Sequence, residues 1–74
     1  MIQNFNVGDE VVIDSDNENY EEYMGMVLTV ASVATSRDEH RGFDETAGCA
    51  LYDLQTEDGT NIPFSLYDYE LDFA

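Results

Sequence analysis

Apolar and β-branched residues occur in short runs separated by long polar stretches, and the runs carry the period of strands. Phe5-Asn6-Val7-Gly8-Asp9 reads as an entry turn, and Glu10-Val11-Val12-Ile13 as a short β-branched strand. From Asp14 to Glu22 the chain is polar and mostly acidic, a solvated loop tethered by Tyr20 and then Tyr23. Met24 to Ala34 is the most apolar stretch. Within it Leu28, Val30 and Ser32 alternate with Val27, Thr29, Ala31 and Val33, which predicts a long strand with the first three on one face. A helix over the same residues is disfavoured, because Val and Thr lose rotamer freedom there and no N-cap precedes the run.

Thr35 to Gly48 is a second long connection. Cys49 to Thr56 reads as a strand, Glu57-Asp58-Gly59-Thr60 as a hairpin turn built on Asp-Gly, and Asn61 to Leu66 as the return strand. Pro63 cannot donate to a ladder, so that strand belongs at an edge or ends there. Tyr67-Asp68-Tyr69-Glu70 suggests one helical turn before Leu71-Asp72-Phe73. The expected core is Phe5, Val11, Ile13, Leu28, Val30, Tyr52, Phe64 and Leu66.

Charge changes this picture more than composition does. Of 74 residues 43% are hydrophobic, which is more apolar content than disordered acidic chains carry. Yet seventeen Asp and Glu face two Arg and no Lys, for a net charge of −15. Such a chain is ill suited to docking on nucleic acid or an anionic bilayer, since both require basic residues at the contact. A basic protein is the expected partner. One cysteine, Cys49, permits no internal disulfide and is expected as a small buried thiol. Met1 runs straight into Ile2-Gln3-Asn4-Phe5 without a basic or apolar leader, and no apolar run approaches the roughly 18 residues of a span. A cytoplasmic protein complete as one domain is therefore expected.

The succession Val7-Gly8-Asp9-Glu10-Val11-Val12-Ile13, loop, Gly25-x-Val27-Leu28-Thr29-Val30, loop, Tyr52-x-Leu54-x-Thr56-Glu57-Asp58-Gly59, strand, short turn, Glu70-Leu71 resembles the small SH3-like barrels, KOW-type modules among them. The resemblance implies an all-β fold: an SH3-like, partly open barrel of about five strands with two long acidic loops, spanning residues 1–74. It implies no function, because one such fold hosts many. KOW-type relatives that touch nucleic acid carry basic residues, where this chain has Asp and Glu. Ser65-Leu66-Tyr67-Asp68-Tyr69 is similar to the "ALYDY" run of peptide-binding SH3 domains. There, however, the run lies near the start of the domain and a tryptophan shapes the groove, and this chain has no Trp.

The remaining motifs favour binding over chemistry. Asp14-Ser15-Asp16-Asn17-Glu18 begins like a calcium loop, but the glycine and glutamate required at its sixth and twelfth places are Asn19 and Gly25. No metal or other cofactor is expected. Among seventeen carboxylates some pair falls close by chance, so none marks an acid–base couple. His40 reads as a lone surface histidine without a marked Ser or Cys partner, and catalysis is not expected. Arg37 and Arg41 read as locally paired with Asp38, Glu39, Asp44 or Glu45, or else as contacts that orient docking.

A compact domain of this length is about 29 Å across. Duplex DNA of that length carries roughly 17 charges. The leading expectation is therefore a nucleic-acid mimic, an inhibitor of a basic nucleic-acid-binding protein or nuclease. Its contacts would be Asp14, Asp16, Glu18, Glu21 and Glu22, then Asp38, Glu39, Asp44 and Glu45, then Asp68, Glu70 and Asp72. The alternative is an interaction or accessory module that binds through Tyr20, Tyr23, Tyr67 and Tyr69, since aromatic side chains supply contact area and hydrogen bonds.

Overall fold

A computed structural model describes residues 1–74. Five strands form one antiparallel sheet: β1 (Glu10–Ile13), β2 (Leu28–Ala34), β3 (Leu51–Gln55), β4 (Asn61–Tyr67) and β5 (Leu71–Phe73). Their order across the sheet is β4-β3-β2-β1-β5, so the last strand returns beside the first, with Val11 opposite Phe73 and Ile13 opposite Leu71. The only helices are two short 3-10 segments, Glu18–Tyr23 and Asp68–Glu70. The fold is all-β, and Tyr67–Glu70 holds the single turn expected there. No helix is long and apolar enough to cross a membrane.

Strand alternation builds the core. Val11, Ile13, Leu28, Val30, Tyr52, Leu54, Ile62, Leu66 and Leu71 point to one side and pack with Phe5 and Ala50. Phe64 is only half-buried and packs against this cluster from its margin. The expected face of β2 holds for Leu28 and Val30 and then fails. A bulge between Val30 and Ser32 inserts Ala31 into the ladder with β3. One extra residue inverts the alternation. Ser32 consequently lies exposed on the outer face, while Val33 packs against the core.

The β3–β4 hairpin turns at Asp58-Gly59. Gly59 takes φ +85°, a left-handed conformation that side chains resist, and the Thr56 N–H bonds the Thr60 carbonyl at 2.9 Å. β4 is an edge strand, and its register with β3 is irregular around Pro63, which has no N–H to contribute.

Two features have no counterpart in the pattern of strands. The segment before Phe5 is docked: Ile2 bridges Cys49 in parallel, donating to the Gly48 carbonyl at 3.0 Å and accepting from Ala50 N–H at 2.8 Å. Phe43, inside the acidic second loop, is 1% exposed and forms a second small cluster with Ala34 and Leu51, flanked by Tyr67. Cys49 is buried.

Candidate binding surface

In the first loop, the Asn17 side chain accepts the Asn19 N–H at 2.9 Å, capping the 3-10 helix Glu18–Tyr23. At three residues per turn, Tyr20 and Tyr23 fall on one edge. Both are half-buried and meet Phe64 edge-on, with ring centroids 5.2 and 6.3 Å away. The opposite side of the helix presents Glu18, Glu21 and Glu22 to solvent, and Asp14 and Asp16 precede them, also exposed. None of these five carboxylates accepts a hydrogen bond from the protein; the loop's side-chain bonds are made by Ser15 and Asn17. No three His, Cys, Asp or Glu side chains converge on a metal position.

The second loop uses its acids differently. Glu39 accepts from Thr35 N–H and Oγ1 at 3.0 and 2.9 Å, Asp44 from Thr46 N–H and Oγ1 at 2.9 and 2.6 Å, and Glu45 from Arg37 N–H at 3.1 Å. The bonds from Thr35 lower the Glu39 pKa, and those from Thr46 lower that of Asp44. These side chains scaffold the loop while remaining exposed; Asp38 is exposed as well. The expected Arg–carboxylate pairing is not formed. Arg37 Nε donates instead to the Phe43 carbonyl at 3.3 Å, holding that ring's backbone in place.

The one basic side-chain nitrogen within 4.0 Å of a carboxylate is His40 Nε2, 3.8 Å from Asp53 Oδ1. His40 is not a lone surface residue. Its Nε2 lies 3.0 Å from Ser65 Oγ, and its Nδ1 accepts the Gly42 N–H at 3.0 Å. That second bond assigns the proton to Nε2, so the relay runs from His40 to Ser65 to Asp53, which also accepts from Ser32 Oγ at 2.9 Å. The residue types are those of a nucleophilic triad, but in this arrangement Ser65 Oγ donates to Asp53 rather than to His40. The relay clasps the second loop onto β3 and β4. Only the register placing Asp53 opposite Ser65 brings these side chains together, so spacing alone carried no signal for it.

The third acidic group divides. Asp68, expected at the surface, is 5% exposed and belongs to the interior. It accepts from Asn4 N–H at 2.8 Å, Asn4 Nδ2 at 2.6 Å and Tyr52 Oη at 2.6 Å, which compensates the burial of its charge. It is thereby removed from any docking surface. Glu70 is half-buried and accepts the Tyr67 N–H at 3.0 Å, closing the 3-10 turn, while Asp72 is exposed.

Tyr67 and Tyr69 are stacked, with centroids 5.8 Å apart and planes 4° from parallel. Tyr67 is half-buried against Phe43 and accepts the Asp44 N–H at 2.8 Å, whereas Tyr69 is 70% exposed. Tyr20 lies beside Glu70; its pKa is raised by burial first and by that carboxylate second. The four tyrosines thus have different tasks: Tyr20 and Tyr23 tether the first loop, Tyr67 anchors the second, and Tyr69 offers an open ring face. The chain matches no protein-family model, no curated protein and no solved structure.

Proposed function

We propose that this chain is a non-enzymatic acidic binding protein that occupies the nucleic-acid groove of a basic protein, in the manner of anti-restriction or anti-CRISPR inhibitors. The observation that carries the reading is the uncompensated charge: a net −15 on a body of 28 × 24 × 20 Å in which neither Arg side chain pairs with a carboxylate within 4.0 Å. Duplex DNA 28 Å long bears about 16 charges. A groove shaped and charged for one would attract the other. The five unbonded carboxylates of the first loop, with Asp38, Glu39, Asp44 and Glu45 of the second, form the contact set.

The scaffold we propose is an SH3-like barrel. The strand order β4-β3-β2-β1-β5 and the 3-10 turn ahead of β5 support it. A second reading, an interaction module that recognises its partner through tyrosine, is favoured by the exposed Tyr69 face.

Competition tests the first reading. A basic partner bound to this chain is expected to be displaced by excess duplex or single-stranded nucleic acid, with log affinity falling linearly against log salt. A complex that resists nucleic acid and whose affinity is flat in salt refutes mimicry. Loss of that complex on Tyr69→Ala would then identify the tyrosine mode.

A further inference from the structure

Tyr69 at 70% and Phe73 at 58% are the two exposed aromatic rings, and Tyr69 marks the turn Asp68–Glu70. It lies parallel to Tyr67 in an offset stack, with ring centroids 5.8 Å apart. The platform is rigid from below: Tyr67 is fixed by the Asp44 N–H and by Phe43, and the turn by the Glu70 bond to Tyr67 N–H. Two acidic residues are near it: Glu70 follows it in the turn, and Asp44 donates its N–H to the hydroxyl of Tyr67 beneath. The Tyr69 phenol pKa is raised, by desolvation first and then by Glu70, Cys49, Tyr67 and Asp44, so Glu70 and Asp44 both project negative potential onto the ring.

We infer that the open face of Tyr69 is an arginine-recognition platform, on which a guanidinium from a basic partner stacks as a third layer above Tyr67 and Tyr69, with Glu70 and Asp44 supplying the counter-charge. The inference rests on the acidic-binding reading and names the residue class it selects. Charge complementarity decides the occupant. A nucleobase would bring its phosphates into a field of −15, and a neutral side chain would leave the carboxylates unused. Between the two basic side chains, guanidinium is planar, weakly hydrated and able to lie flat on a ring while its edge donors reach carboxylates. Ammonium is a compact and strongly hydrated point charge. Tyr and Arg are also the residue types that dominate interface hot spots.

Octa-arginine and octa-lysine peptides, titrated at equal and near-physiological ionic strength, provide the test. The arginine peptide is expected to bind about three- to five-fold more tightly, the scale of an exposed cation–π contact. Tyr69→Leu is expected to abolish that preference and Tyr69→Phe to keep it, with melting temperature unchanged in both because Tyr69 is exposed. Equal affinities for the two peptides, or a preference that survives Tyr69→Leu, overturns the platform while leaving acidic docking intact. Absence of binding to either peptide overturns both.

Discussion

Tyr52 is wholly buried, yet it keeps a polar end satisfied on both sides: its hydroxyl donates to Asp68 at 2.6 Å and accepts the Phe5 N–H at 3.3 Å. Its ring meets Phe5 edge-on at 5.5 Å. Burial, followed by the Asp68 bond, drives its pKa far above that of free tyrosine. Tyr52→Phe should preserve packing but withdraw one donor from a buried carboxylate, costing about 1–3 kcal/mol in urea unfolding at neutral pH. The sign with pH follows from the raised value. The stabilisation is complete below the unfolded pKa of roughly 10 and drains away as pH rises through the folded one. The wild-type chain should therefore lose stability above about pH 10, and the variant should lose less over the same window.

At the scale of elements, the two loops differ in what their carboxylates do, although both read as acidic tracts. Thr35, Thr46 and Thr60 donate backbone N–H to Glu39, Asp44 and Asp58, and each acceptor has a lowered pKa, caused chiefly by its threonine partners. Those three bonds persist above the ordinary carboxylate range and are lost as pH falls through the lowered values. In an NMR titration the three amide shifts should move with midpoints below those of free Asp and Glu; midpoints at ordinary values would refute the bonds. Strands, hairpin and 3-10 turn were legible because β-branched runs, Asp-Gly and Pro63 act locally. The phase change in β2 was not, since Ala31 carries no bulge signature. Phe43 was hidden in a polar tract. Asp68 looked like its acidic neighbours until Asn4, 64 residues earlier in the chain, and Tyr52 came to meet it. The tyrosines were legible as a set, but only packing separated the exposed Tyr69 from the tethers Tyr20 and Tyr23.

Across the whole molecule the charges are spaced on a body no longer than 28 Å. At 0.01 M salt the Debye length is about 30 Å, so every carboxylate repels every other; at 0.15 M it is about 8 Å and only neighbours interact. With neither Arg side chain paired to a carboxylate to offset it, that repulsion should make melting temperature rise between these two salt concentrations. A flat or falling melting point in calorimetry would mean that the field is already compensated. The sheet adds a constraint of its own on how a partner engages. Pro63 and the irregular register of β4 interrupt the row of amide donors at one border of the sheet, and β5 offers only three residues at the other. Both borders are poor templates for backbone augmentation. A partner that settles on this protein is expected to be held chiefly by the chemistry of its side chains.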